Sequence, residues 1–203
     1  SEEVNALPLC HFEGHVHVVR SEEDWQCALP HLREESVLGF DTETRPSFRK
    51  GRRNAPALIQ LATAQAVYLI QLAWMPFGPD LAALLANPAQ VKAGVGIRDD
   101  MRDLAKLHDF EPAGLVDLGG VARAHKLPSQ GLRSLTANFF GWRISKGSQC
   151  SNWSLMELTP RQIAYAATDA WIGRLIFMRM CDLGLIPTTR PVTWPVGASG
   201  GGA

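Results

Sequence analysis

The 203-residue chain lacks a long hydrophobic run, a paired-cysteine motif and an excess of charge of either sign. No apolar stretch reaches the roughly 20 residues that a membrane span needs, and the N-terminus, with Glu2 and Glu3, lacks the basic-then-apolar layout of a secretory signal. These absences predict a soluble, cytoplasmic protein with no membrane partner. The four cysteines are scattered without a CxxC pair, which excludes a zinc knuckle and a disulfide framework and predicts free thiols.

The charge balance excludes a general attraction to nucleic acid. Twenty basic and twenty acidic residues give a formal net charge of zero, so any such affinity must come from local placement. With 46% hydrophobic residues, this length suits one α/β domain with a sizeable core. We predict an irregular N-terminal segment over residues 1–14, a single domain over residues 15–186, and a flexible tail rich in Pro, Gly and Ser over residues 187–203.

An apolar run that ends in two acids, at residues 36–43, is the central feature of the sequence. Its composition favours a buried strand, and alternation along a strand places Asp41 and Glu43 on the same side. Two carboxylates aimed at one point repel each other unless a cation lies between them, and hard oxygen ligands suit Mg²⁺ or Mn²⁺. An acid pair can also simply cap a turn, and taken alone this pair favours that simpler interpretation.

Two later segments add a third and a fourth acid. Asp100 lies in the first turn of a predicted helix, between Ile97 and Met101 in helical spacing, so it should point partly inward. Tyr165 and Asp169 are four residues apart on the last predicted helix and therefore share one face. An ordinary helix pair would have the same spacing.

Residues 45–54 form a locally basic segment directly after the first acid pair. Five of the ten residues are basic and none is acidic, so the segment could hold phosphates beside a metal site. A solvated hairpin tip is the alternative. Phe48 favours nucleic acid because its ring can stack on a base, whereas the sequence leaves Trp153 open between the core and base stacking. The predicted nucleic-acid contacts are Thr42, Arg45, Phe48, Arg49, Lys50, Arg52, Arg53 and Trp153.

The order of predicted elements defines the fold class. Three strands joined by a basic turn and a short turn predict an antiparallel meander over residues 36–70, and the strand, helix and strand that follow add parallel strands to it. The last helix begins at Thr159-Pro160, with threonine as N-cap and proline at the first helical position, and runs to about Asp182.

These motifs together resemble a known enzyme family. Asp41-Thr42-Glu43, then Asp100 after Ala-Gly-Val-Gly-Ile, then Tyr165 and Asp169 in Tyr-Ala-Ala-Thr-Asp-Ala are similar to the three ordered motifs of the DEDD 3′-to-5′ exonucleases. The tyrosine resembles the subclass that holds ribonuclease D and the Werner-type exonuclease domain. The resemblance covers residues 15–185 and implies a ribonuclease H-like α/β fold, in which helices flank a mixed sheet.

The resemblance also implies a chemistry. Asp41, Glu43, Asp100 and Asp169 would hold two divalent ions, Mg²⁺ or Mn²⁺, and Tyr165 would orient the attacking water, since an ordinary tyrosine pKa of about 10 makes it a poor base at neutral pH. The implied substrate is DNA or RNA with a free 3′ end, and the products are nucleoside 5′-monophosphates. A catalytically silent nucleic-acid-binding module on the same fold is the alternative, and the basic segment disfavours a phosphatase acting on small esters.

Overall fold

The computed structural model describes residues 2–46 and 54–187. Within these residues, helices cover both faces of one six-stranded mixed sheet. The strands are β1 (His15–Val19), β2 (Val37–Thr44), β3 (Pro56–Ala62), β4 (Ala66–Gln71), β5 (Val91–Gly94) and β6 (Leu115–Asp117). The helices are α1 (Glu2–Ala6), α2 (Glu22–Glu34), α3 (Pro79–Ala86), α4 (Ile97–Ala105), α5 (Leu118–Ala124), α6 (Leu132–Phe140) and α7 (Pro160–Asp182).

The sheet has the strand order β1-β4-β3-β2-β5-β6. The predicted antiparallel meander is confirmed, because β3 pairs with β2 on one side and with β4 on the other, both antiparallel. The predicted parallel addition is also confirmed, since β5 pairs with β2 and β6 pairs with β5. The first strand, β1, lies parallel to β4 at the far edge, a position that the element order did not predict.

One face of the sheet packs against α2, α3 and α4. Alternate residues of the strands, among them Leu38 and Phe40 of β2, point into this layer and are almost completely buried. The helix α2 begins as its sequence predicts, because the Ser21 hydroxyl accepts a hydrogen bond of 3.1 Å from the backbone N–H of Asp24. The side chains of Asp41 and Glu43 point to the opposite face, two and four residues beyond Gly39.

The opposite face packs against α5, α6 and the long helix α7. The buried alanines Ala166, Ala167 and Ala170 let α7 lie directly on the strands. At Gly39 the contact is so close that a Cβ atom would stand 1.9 Å from the carbonyl oxygen of Ala170, which only glycine avoids. The buried Arg174 then fixes α7 to β2 by donating a hydrogen bond of 3.1 Å to the carbonyl of Val37.

The N-terminal segment is more ordered than predicted. It contains the five-residue helix α1, and residues 7–12, here called the N-terminal strap, run across α7 and the chain at residue 143. The strap is held by backbone hydrogen bonds from Cys10 to Arg143 (2.8 Å) and from Arg143 to Pro8 (2.9 Å). A further bond joins the Phe12 N–H to the Thr168 hydroxyl at 3.0 Å. The sequence could not reveal these contacts, because their partners lie more than 130 residues away.

The structure also bears on the predictions about the cysteines, membrane-spanning helices and the C-terminal tail. All four cysteines are free thiols, as predicted. In the part of the chain that the structure describes, no helix combines the length and the apolar character needed to cross a membrane. The predicted tail over residues 187–203 lies outside the described residues except for Pro187, so the three domain boundaries stay predictions.

Candidate active site

The first two acids stand at the end of β2, where the sheet offers a natural site. Because β2 and β5 are parallel, their C-terminal ends meet at one edge, and Asp41 and Glu43 reach that edge on the α7 side. The backbone N–H of Thr42 donates a hydrogen bond of 2.8 Å to Asp41 Oδ1. One carboxylate oxygen of Asp41 is thereby held by its own strand.

Asp100 reaches the same edge because β5 comes very close to β2. A Cβ atom at Gly94 would lie 2.2 Å from the Phe40 carbonyl oxygen, so the close backbone approach requires glycine. The chain then turns through Gly96, whose φ of 73° is left-handed, and α4 begins. This turn brings Asp100 within electrostatic range of both Asp41 and Glu43.

Asp169 and Tyr165 approach from α7. Asp169 is only 7% exposed, and the Tyr165 hydroxyl lies close enough to affect its carboxylate. The Tyr165 ring packs against the indole of Trp153, with centroids 5.9 Å apart and planes tilted by 41°. Trp153 is 1% exposed, which decides the alternative that the sequence left open: Trp153 belongs to the core and offers no free face to a base, so its prediction as a nucleic-acid contact is wrong.

The acids destabilise each other's charges. Burial first, and then the charges of Asp169 and Asp100, raise the pKa of Asp41 well above its ordinary value. Burial and the charge of Asp41 raise the pKa of Glu43 to about 9. Burial raises the pKa of Asp169 to about 7, although the nearby Tyr165 hydroxyl opposes this, and burial together with the charge of Asp169 raises the pKa of Tyr165 above its ordinary value.

All of these side chains except Asp100 line a pocket of about 350 Å³, here called the catalytic pocket. Asp41, Glu43, Tyr165 and Asp169 form one side of it, and residues of α6 and of the loop before α7 form the other. The sequence predictions missed the polar residues of that second side, because nothing in their local pattern relates them to the acids. They are Arg133, Ser134, Ser145, Lys146 and Gln149.

Gln60 is a further residue that the predictions missed. It pairs with Asp41 across β2 and β3, so both side chains point to the same face of the sheet. Gln60 is completely buried, and neither its amide nitrogen nor its amide oxygen has a hydrogen-bond partner within the described residues. The sequence feature that could have revealed Gln60 is the presence of a single glutamine inside an otherwise apolar strand, Pro-Ala-Leu-Ile-Gln-Leu-Ala.

The predicted nucleic-acid contacts have mixed outcomes. Thr42 lines the catalytic pocket. Arg45 is exposed at the base of the basic segment, where the Asn54 side chain donates hydrogen bonds to the carbonyls of Arg45 (2.8 Å) and Pro46 (3.3 Å). The remaining predicted contacts lie outside the described residues: Phe48, Arg49, Lys50, Arg52 and Arg53.

The donor set fits divalent cations. Four carboxylates from three distant segments act on one another electrostatically in a partly buried place, and hard oxygen donors of this kind suit small divalent ions. A cation among them would oppose the repulsion that, after burial, raises the pKa values of Asp41 and Glu43. Within residues 2–46 and 54–187, however, no three His, Cys, Asp or Glu side chains lie close enough together to hold a metal ion.

The fold and the site define a class of protein. A mixed sheet with an antiparallel meander, acids at the joined ends of β2 and β5, and an Asp–Tyr pair from a crossing helix place the chain in the class of proteins with a ribonuclease H-like fold. The chain belongs to the 3′-5′ exonuclease family, which matches it over residues 16–183. The predicted family and fold are thus confirmed, and the family is one of metal-dependent exonucleases.

Known relatives agree with this assignment. The chain is 34% identical over 190 residues to the mouse bifunctional 3′-5′ exonuclease/ATP-dependent helicase WRN, an alignment that covers 88% of the chain and 13% of the relative. It is 30% identical over 171 residues to ribonuclease D of Gluconacetobacter diazotrophicus, covering 81% of the chain and 42% of that protein. The structure of Trypanosoma brucei RNase D in complex with RNA U12 superposes with a TM-score of 0.75 at 18% identity, covering 91% of the chain and 66% of that one. The chain therefore spans less than half the length of both sequence relatives.

Proposed function

We propose that the chain hydrolyses the phosphodiester bonds of nucleic acid from the 3′ end and releases nucleoside 5′-monophosphates. The observation that carries this proposal is the convergence of Asp41, Glu43, Asp100 and Asp169, from three distant segments, beside Tyr165. Membership in the 3′-5′ exonuclease family supports the reaction. The RNA that accompanies the structurally similar RNase D supports RNA as a substrate beside DNA.

The four carboxylates would hold two divalent ions, Mg²⁺ or Mn²⁺. When bound, such ions lower the pKa of a water molecule and stabilise the charge that develops on the leaving 3′ oxygen. The side chains of the protein hold the reacting groups in place. The packing of its ring against Trp153 holds Tyr165 at the pocket wall, where its oxygen can accept a hydrogen bond from the attacking water and orient it. Its raised pKa keeps Tyr165 protonated at neutral pH, so it orients the water and does not take its proton.

The second side of the catalytic pocket suits the substrate. Lys146 and Arg133 line the same pocket as the acids, and there they would bind phosphate oxygens of the terminal nucleotide, Arg133 with the part of its guanidinium that is not bonded to Asn5 Oδ1 (2.5 Å). Thr42 and the basic residues Arg45, Arg49, Lys50, Arg52 and Arg53 are proposed to bind the strand as it enters, with Phe48 stacking on a base.

A nuclease assay on 5′-labelled DNA and RNA oligonucleotides tests this function. We expect stepwise shortening from the 3′ end with Mg²⁺ or Mn²⁺, none with EDTA, and release of 5′-monophosphates. Replacing both acids of β2 (Asp41→Asn with Glu43→Gln) should lower the rate by at least about 10³-fold, since both act on one centre. The matched control is the pair Glu22→Gln and Glu23→Gln, which removes the same charge from exposed positions on α2.

Two outcomes would overturn the proposal. Digestion by the Asp41/Glu43 variant at the wild-type rate would mean that the hydrolysis takes place elsewhere. If the wild-type chain binds oligonucleotides but releases no nucleotide with either ion, the chain is a silent nucleic-acid-binding module.

A further inference from the structure

A second groove adjoins the catalytic pocket on the far side of Tyr165 and Asp169. It has a volume of about 430 Å³ and runs between α7, the N-terminal strap and residues 145–148, and we call it the strap groove. Ser145, Tyr165 and Asp169 line both the strap groove and the catalytic pocket. The two spaces are therefore neighbours, with the catalytic Tyr–Asp pair forming the ridge between them.

The strap groove contains a basic side chain, Arg161, that has no acidic partner among the residues that the structure describes. Arg161 precedes Tyr165 by four residues and Asp169 by eight, so the three side chains share one face of α7. Along the axis, Arg161 lies about 6 Å from Tyr165 and about 12 Å from Asp169. Among the described residues, the exposed Arg161 side chain forms no hydrogen bond or ion pair, whereas the other basic group of the groove, His11, lies 3.6 Å from Glu13.

An exonuclease substrate has a nucleoside on each side of the bond that is cut, and the strap groove offers space for the second one. The bond that is cut joins two nucleosides, and both need room beside the acids. The catalytic pocket holds the acids and accommodates the terminal nucleotide. The preceding nucleotide must then cross the Tyr165–Asp169 ridge, and the strap groove begins where it would arrive. The hydroxyls of Ser145 and Ser148 line this groove, and the apolar side chain of Leu9 gives the sugar and base a surface to pack on.

We propose that the strap groove is a binding subsite for the nucleotide on the 5′ side of the scissile bond, and that Arg161 binds the phosphate that precedes this nucleotide. The inference rests on the proposed exonuclease function and adds to it the path of the strand. It assigns a substrate contact to the N-terminal strap and to the first turn of α7, neither of which belongs to the acid motifs.

Three small substrates separate the contribution of the upstream nucleoside from that of the phosphate that precedes it. The p-nitrophenyl ester of thymidine 5′-phosphate has a scissile phosphodiester but no upstream nucleotide. The dinucleotide TpT has the upstream nucleoside without a further phosphate, and pTpT adds that phosphate. The ribonucleotide pair UpU and pUpU provides the same comparison for RNA. Wild-type kcat/KM should be higher for pTpT than for TpT, because only pTpT offers the phosphate to Arg161.

The variant Arg161→Gln should lower kcat/KM for pTpT by about tenfold or more, the value of one charge-assisted hydrogen bond, and abolish the preference for pTpT over TpT. Its rates with TpT and with the p-nitrophenyl ester should stay within twofold of wild type. The control Arg179→Gln removes the same charge from the same helix about 27 Å away along its axis, and it should leave the preference for pTpT unchanged.

The remaining outcomes contradict either the proposed subsite or the proposed function. If Arg161→Gln lowers the rates with all three substrates equally, Arg161 supports the structure and not the subsite, and the proposal is wrong. If the preference for pTpT survives in Arg161→Gln, the groove does not bind that phosphate. If the wild-type chain cleaves neither these substrates nor the 5′-labelled oligonucleotides with Mg²⁺ or Mn²⁺, the proposed function itself fails; if it shortens the oligonucleotides but shows no preference for pTpT over TpT, only the subsite is wrong.

Discussion

At the scale of the residue, Gln60 shows how the site departs from an ordinary protein interior. A buried amide without a partner costs roughly 1 to 3 kcal/mol, and this one lies directly across from Asp41 within a strand that is otherwise apolar. Groups of this kind persist where they serve a site at the expense of stability. The Gln60 amide makes no hydrogen bond to Asp41 in this structure, so it is a candidate for a contact to that carboxylate that forms when the site binds its ligands.

Replacing Gln60 by leucine tests this interpretation. We expect Gln60→Leu to raise the free energy of unfolding by about 1 to 2 kcal/mol, because it removes an unpaired polar group from an apolar surface of similar shape. Activity should fall at the same time, with kcat affected more than KM. Urea denaturation and steady-state kinetics measure the two effects. A loss of stability would show that the amide has a stabilising partner, such as a bound water.

The site residues differ in how far the sequence could predict them. The acids and Tyr165 were predictable because each motif has a recognisable local pattern and the three occur in order along the chain. Gln60 required the register of β3 against β2, and Arg133 required the position of α6, neither of which local sequence determines. The basic residues of the second pocket side therefore became visible only in the structure, as did the burial of Trp153.

At the scale of the element, the contact between α7 and β2 sets the distance between Asp169 and the acids of β2. Gly39 lies under Ala170, with no room for even a methyl group. The variant Gly39→Ala should therefore lower the free energy of unfolding by at least about 2 kcal/mol, and the surviving folded protein should bind metal and substrate less well because α7 has moved. The control Gly120→Ala, within α5 and without a close neighbour, should be neutral or slightly stabilising.

Urea denaturation at equilibrium, with and without Mg²⁺, measures this effect. If Gly39→Ala is as stable as Gly120→Ala, α7 can move away from β2 without cost, and the close contact does not position the site.

The elements themselves were largely predictable from capping and periodicity. The side chain of Thr159 accepts a hydrogen bond from the Gln162 N–H, and Gly141 ends α6 in a left-handed conformation, as their sequences indicate. The position of β1 beside β4 and the path of the N-terminal strap were not predictable. Both depend on long-range partners, such as the Thr168 hydroxyl that accepts the bond from Phe12.

At the scale of the whole molecule, the clustered acids couple stability to pH and to metal. In the folded, metal-free protein the pKa of Glu43 is about 9 and that of Asp169 about 7, against about 4 in the unfolded chain. Between about pH 4 and about pH 9, the folded state therefore binds more protons than the unfolded state. The contribution of these groups to stability is therefore greatest at low pH and falls as the pH rises from about 4 through about 9.

Divalent ions should reverse this trend, because they bind the deprotonated carboxylates. At a Mg²⁺ concentration of roughly a hundred times Kd, we expect Tm to rise by about 5 to 10 °C at pH 8.5, and by much less at pH 5.5. Thermal melts with Mg²⁺ or EDTA across this range measure the effect. The Asp41→Asn, Glu43→Gln variant should show a flatter pH dependence and no gain from Mg²⁺. An equal gain at both pH values would contradict the assignment of these acids as ligands.

The N-terminal strap has a consequence for how such enzymes can be re-engineered. It lies outside residues 16–183, the span shared with the family, yet it forms one wall of the groove next to the reaction centre. Backbone hydrogen bonds to Arg143 hold the strap, so the side chain of Leu9 can be exchanged without altering the sheet, and such an exchange would change the lining of the strap groove while the acids stay in place.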